Sequence, residues 1–231
     1  MKLNLSEHFY SVQGEGKHTG VPSYFIRTNG CNLRCEWTNA DDTKTKCDTP
    51  YTSWEPEGKE VDLDDILKNI PEQCRHIVIT GGEPYINKDL FNLTKNLIDF
   101  TTTIETNGTI YRPTLANLVS ISPKLSSSMP SGRFSEMHEK GRINYDVLTH
   151  LMKNNDYQFK FVLNDSRDLK EVLHIKDTLK IPTEKIYLMA QGTTSAELDS
   201  RRYLISQVAK ETGMNITDRL HIRLYGNRRA T

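Results

Sequence analysis

Residues 76–99 read HIVITGGEPYINKDLFNLTKNLID. The β-branched run His76–Thr80 predicts a strand, two glycines and a proline break it, and apolar residues then recur at helical spacing over Lys88–Asp99. Strand, polar turn and helix make up half of a βαβ unit, and the same order recurs on both sides. Further strands are predicted at Pro22–Arg27, Thr102–Glu105, Leu118–Ser122, Gln158–Leu163, Lys185–Met189 and Leu220–Leu224. Helical patterns lie at Asp62–Asn69, Tyr145–Lys153, Arg167–Leu179 and Ser195–Thr212. Such alternation implies an α/β fold in which helices cover a parallel sheet. Six or seven units are too few to close an eight-stranded barrel, so the expected architecture is an open, partial β/α barrel of about six parallel strands. Ser126–Gly141 and Trp37–Trp54 read as loops by composition. No repeat or linker divides the chain, and one domain over 1–231 is expected.

The residues that break the strands share a position. TGGEP follows HIVI, ETNGT follows TTTI, SPK follows LVSI and AQGTT follows IYLM. In parallel α/β folds, ligands bind at the carboxyl ends of the strands, where such loops converge. One polar exit is an ordinary turn; four on one edge point to a site.

Lys and Arg balance Asp and Glu at 30 each, so no global field recruits nucleic acid or an anionic membrane. Arg223, Arg228 and Arg229 form a local basic stretch, which reads equally well as a solvated tail. Neither an apolar run of membrane-spanning length nor a secretory leader is visible, so a cytoplasmic, thiol-reducing setting is expected. There, the spacing Cys31-x3-Cys35-x11-Cys47 indicates metal or catalysis before disulfides. Three thiolates can hold three corners of an iron–sulfur cube and leave one iron open. Zinc with a fourth ligand, such as Cys74 or His76, satisfies the spacing equally, and spacing alone leaves both readings standing.

The run QGEGKHTGVPSYFIRTNGCNLRCEW (13–37) followed by CDTPYTSW (47–54) resembles the radical S-adenosylmethionine (SAM) superfamily. Its usual cluster motif is C-x3-C-x2-C. Residues 38–46, TNADDTKTK, then look like an insertion in the cluster loop, and removing them restores the usual spacing. GGEP (81–84) resembles the superfamily segment that takes the amino group of SAM. Within the superfamily, FYSVQGEG (9–16), Arg27, CDT (47–49), TGGEP (80–84), ETNGT (105–109), SPK (122–124) and LHIRLYGNRR (220–229) resemble the 7-carboxy-7-deazaguanine synthase family.

The resemblance implies a lyase that contracts 6-carboxy-5,6,7,8-tetrahydropterin to 7-carboxy-7-deazaguanine with loss of ammonia, in queuosine-type biosynthesis. It implies a 4Fe–4S cluster on Cys31, Cys35 and Cys47, SAM on the open iron, and Mg²⁺ on Thr49. Trp37, Cys47, Asp48, Gly82, Glu83, Glu105, Asn107, Ser122, Pro123, Lys124, Met189, Ala190, Gln191 and Gly192 would surround SAM. Ala190 stands where many relatives carry proline. Val12, Gln13, Gly14, Glu15, Arg27, Thr80 and His221 would meet the pterin, with Arg27 clamping its carboxylate. The expected partners are an electron donor such as flavodoxin and a second copy of the chain, with no nucleic acid or membrane. A glycyl-radical activase would share the cysteines and GGEP but lack the pterin pocket. A non-catalytic zinc module is the other alternative.

Overall fold

The structure, a computed structural model, describes residues 1–39 and 41–231. Ala40, inside the inserted segment, lies outside the described residues. The chain opens with an antiparallel pair, β1 (Lys2–Val12) and β2 (Pro22–Thr28). It then leaves the sheet to form a hairpin of β3 (Glu36–Thr38) and β4 (Lys44–Lys46). It returns beside β1 as the edge strand β5 (Lys59–Asp62), followed by α1 (Leu63–Lys68). From there strands and helices alternate: β6 (His76–Gly81), α2 (Leu90–Asn96), β7 (Thr101–Thr106), β8 (Leu118–Ile121), α3 (Ser135–Gly141), α4 (Tyr145–Asn154), β9 (Tyr157–Leu163), α5 (Asp168–Leu179), β10 (Ile186–Ala190), α6 (Ser195–Thr212), the two-residue β11 (Asn215–Ile216) and α7 (Leu220–Tyr225).

The main sheet runs β11-β10-β9-β8-β7-β6-β2-β1-β5, and every pairing from β2 to β11 is parallel. The sheet is an open α/β barrel, as the alternation requires. Its two faces differ because side chains alternate along each strand. Ile77, Ile79, Ile104, Val119, Ile121, Phe159, Phe161 and Leu188 form one buried cluster with Leu90 and Leu93 of α2, Leu148 of α4, Val172 of α5 and Ile205 of α6. That face carries the hydrophobic stabilisation. The alternate positions carry Ser23, His76, Thr103, Ser120, Gln158 and Lys160, all buried, with a small apolar group of Phe9, Phe25 and Val78. The concave face is therefore polar, and its hydrogen bonds are internal. His76 meets Ser23 at 2.7 Å and Thr103 at 2.9 Å, and Gln158 donates to Ser120 at 2.9 Å.

Three expectations are corrected. Leu220–Leu224 is the helix α7 rather than a strand: Ile222 is buried while Leu224 is half exposed, and the alternating letters L-H-I-R-L imitate a strand over one and a half helical turns. The Trp37–Trp54 segment contains the β3–β4 hairpin, so the insertion folds rather than loops. Ser126–Gly141 contains α3, which seats His138 in the interior. The long first strand was not anticipated. A register shift between Leu5 and Glu7 breaks its alternation, so the apolar letters change phase midway.

Candidate active site

The strand exits open on one cavity, and Cys31, Cys35 and Cys47 stand in its wall. The β3–β4 hairpin returns Cys47 to Cys35, whose carbonyl accepts the Cys47 N–H at 3.0 Å. Arg34 fixes the loop by donating to the carbonyls of Cys31 and Leu33 at 2.8 Å each. All three thiols are free. Burial pushes Cys31 up to about 12 and raises Cys35 and Cys47 as well, against the pull of Lys124. Left alone they hold their protons, so a cationic metal centre is what turns them into thiolate ligands.

Three free cysteines in one cavity wall supply the three thiols that a cluster takes. Among the described residues no three His, Cys, Asp or Glu side chains gather as ligands of a single ion. A cube instead takes its cysteines at separate corners. Cys74 belongs to the apolar cluster and donates to the His76 carbonyl at 3.2 Å, while the His76 ring is engaged by Ser23 and Thr103. Neither joins the three cysteines in the cavity wall.

GGEP lies flat against the cysteine loop. A Cβ on Gly82 would come within 2.2 Å of the Gly30 carbonyl and 2.8 Å of Cys31 Cβ. Gly81 has φ +142°, in the region that favours glycine. Glu83 braces two strand exits. It is buried outside the cavity wall, where its carboxylate accepts from Thr106 Oγ1 (2.7 Å), Asn107 N (2.7 Å) and Tyr85 N (3.0 Å) and ties the β6 exit to the β7 exit. Burial lifts its carboxyl to about 7 despite those donors.

Trp37, Asp48, Glu105, Asn107, Ser122, Lys124, Met189 and Gln191 line the cavity. The Lys124 ammonium reaches Ser122 Oγ at 3.0 Å. Pro123, Ala190 and Gly192 stand outside the wall, and the Gly192 carbonyl accepts from Arg219 at 2.5 Å. β1 runs out into Val12, Gln13, Gly14 and Glu15, all in the wall with Arg27, Thr80 and His221. Arg27 and Thr80 are register partners on adjacent strands. Gly14 leaves room for His221, whose Nδ1 lies 2.0 Å from where a Cβ would stand. The Thr49 hydroxyl lines the same cavity, 3.4 Å from Cys47 Sγ.

Residues 25–123 match the model of the Radical SAM superfamily. A 7-carboxy-7-deazaguanine synthase of Halobacterium salinarum is 40% identical over 97% of this chain and 91% of its own length. The chain belongs to the 7-carboxy-7-deazaguanine synthase family. The synthase of Rhodopirellula baltica is 39% identical over 99% of this chain and 89% of its own. The crystal structure of QueE from Escherichia coli superposes with a TM-score of 0.69 at 25% identity, covering 94% of each chain. Membership of this radical SAM family implies a 4Fe–4S cluster and SAM.

Two residues of this family member escaped the sequence reading. Lys160 pairs with Glu15 and, at 2.5 Å, with Glu105, which also accepts from Gln13 at 2.9 Å. Arg219 pairs with Glu15 at 3.1 Å and with Asp48. A charged chain thus crosses the site, Gln13–Glu105–Lys160–Glu15–Arg219–Asp48, and ends beside Cys47. Arg219 holds Asp48 down at about 2, against its burial. Lys160 and Arg219 hold Glu15 well below the usual carboxylate range, again against burial. Glu15 and Asp48 are therefore fixed anions. In sequence, Lys160 is one lysine in a strand and Arg219 one arginine in a polar turn. Only the inward phase of Lys160, shared with Gln158 and Val162, hinted at its place.

Proposed function

We propose that this protein is a 7-carboxy-7-deazaguanine synthase, a radical SAM carbon–nitrogen lyase acting on 6-carboxy-5,6,7,8-tetrahydropterin. The observation that carries this reading is a single cavity lined both by three free cysteines and by Gln13, Arg27, Thr80 and His221. When bound, the cluster and SAM supply the one-electron chemistry that begins with hydrogen abstraction. The chain's own residues orient and neutralise. Gln13 donates through Nε2 to Glu105 and accepts at Oε1 from the Glu15 N–H at 3.3 Å, which leaves the second lone pair of its carbonyl for an amide-like ring edge. Arg27 is held through Nε by Glu7 Oε1 at 2.7 Å, leaving its terminal N–H groups for a carboxylate. Lys124 offers a cation to the SAM carboxylate. Glu83 braces the GGEP turn from behind.

Mg²⁺ would rest on Thr49, the substrate carboxylate and water. A single threonine hydroxyl as the protein's ligand suits an ion that keeps much of its hydration. The reading also carries a single radical SAM domain over 1–231, a small reductant protein, a homodimer and a reducing cytoplasm. None of the described helices is long and apolar enough to cross a membrane.

Anaerobic turnover of the carboxytetrahydropterin with SAM, dithionite and Mg²⁺ tests the proposal. Formation of 7-carboxy-7-deazaguanine is expected. SAM cleavage without pterin conversion would defeat the substrate assignment while sparing the cluster.

A further inference from the structure

The outer side of the cysteine loop is covered by two aromatic rings and three cations. The Trp54 indole donates to the Cys35 carbonyl at 3.2 Å and meets Phe134 edge to face, with ring centroids 5.6 Å apart. Lys46 of β4 lies 4.7 Å over the Trp54 ring. Arg133 and Arg34 lie 4.6 and 5.4 Å over Phe134. Among the described residues no carboxylate pairs with Arg34, Lys46 or Arg133, whereas the neighbouring Glu36, Glu136 and Glu139 are paired with Lys44, Lys140 and Arg142. Those three acids are matched; Glu55, Asp41 and Asp42 also stand outside the ion pairs among the described residues, but the cations Arg34, Lys46 and Arg133 are the charges seated on the two rings. Lys46 and Arg133 are exposed.

We propose that this patch, completed by Lys46 of the inserted hairpin, is the docking surface for an acidic one-electron carrier protein. The proposal rests on the radical SAM reading, in which the cluster must be reduced from outside. Charge complementarity selects the partner. Unpaired surface cations that keep their hydration on one side and an aromatic face on the other attract a carboxylate-rich surface and steer its approach. The rings lie directly outside Cys35, so a carrier seated here has its redox group on the cluster side of the molecule. One electron leaves the reduced carrier, which becomes its one-electron-oxidised form, and lowers the cluster from the +2 to the +1 state. No atom is transferred.

The test compares two reductants on reconstituted enzyme with checked iron content: chemically reduced flavodoxin, an acidic flavin carrier, and dithionite. In Lys46→Glu/Arg133→Glu, kcat/KM for flavodoxin should fall about tenfold or more at low salt. The difference should shrink as ionic strength rises and screening sets in. Dithionite-driven turnover should stay at the wild-type rate. Arg133→Glu alone, remote in sequence from the cysteines, should give about half the logarithmic loss. Unchanged flavodoxin kinetics in both variants, or a loss independent of salt, would overturn the docking surface. So would an equal loss with dithionite in a variant of full iron content. Failure of dithionite turnover in the wild type would instead count against the enzyme assignment.

Discussion

Lys160 reaches two carboxylates from the concave face of β9, and its ammonium has almost no contact with water. Removing one member of a buried ionic set leaves the others charged and unpaired, at a cost of roughly 3–5 kcal/mol. Lys160→Met should therefore lower the melting temperature by about 10 °C. Adding Glu15→Gln should recover part of that loss, because it discharges one stranded carboxylate. A melt unchanged by Lys160→Met would show that the chain across the cavity is not coupled. At Arg27 the expected signature is kinetic. Arg27→Ala should raise the pterin KM at least tenfold, the scale of losing a charge-assisted hydrogen-bonded pair. SAM affinity should hold, and an unaltered KM measured in the same assay would remove Arg27 from the carboxylate. At Thr49, loss of the hydroxyl should slow product formation and blunt the response to added Mg²⁺ while iron content stays full; a normal Mg²⁺ titration of Thr49→Ala would exclude it as a ligand.

At the scale of elements, the inserted hairpin is a docked unit. Lys44 donates to Ser131 Oγ at 2.6 Å, Ser131 donates to Glu36, and Asn164 donates to the Thr38 carbonyl at 3.1 Å. Its ends are already adjacent, since Glu36 pairs with Lys46. Excising residues 38–46 then closes a short gap rather than stretching the chain. The deletion should retain its cluster and dithionite-driven SAM cleavage. A protein that folds but binds no iron would mean that the hairpin shapes the ligand loop. The elements divide cleanly by legibility. Strands buried on both faces and their covering helices, such as His76–Gly81 and Ser195–Thr212, are written as apolar runs and periodic stripes. The Thr194–Glu197 capping box marks the start of α6 as well. By contrast β1, with its shifted register, and α7, with its six residues, carry no stable period. The motif residues were legible because they interrupt regular elements. Lys160 and Arg219 were not, because their roles come from partners distant in sequence.

For the whole molecule, the polar concave face predicts how stability depends on pH. Burial, with His18 edge-on at 4.7 Å, lowers His76 to about 4, and burial with Arg142 lowers His138 to about 4. Both imidazoles are neutral in the folded protein, whereas in the unfolded chain they take up protons below about pH 6.5. Their contribution is intact above that value and is lost as pH falls toward 4, at about 1.4 kcal/mol per unit for each. Asp48 and Glu15 stay charged throughout that window, and their share is lost only at lower pH. Glu83, lifted to about 7, works in the opposite sense over the same window and offsets about one of the two rings. Urea midpoints should therefore fall from pH 7 to pH 5 at about the rate of a single imidazole, and a rising profile would mean that neither ring is held neutral. The charged chain across the cavity has a further consequence, in the order of assembly. Its Glu15–Arg219 link joins positions 204 residues apart. A chain made from its N-terminus presents Glu15, Asp48, Glu105 and Lys160 to one another well before Arg219 leaves the ribosome. Until then Asp48, next to Cys47, lacks its counter-charge, so the cysteine loop reaches its final setting only after Arg219 has emerged.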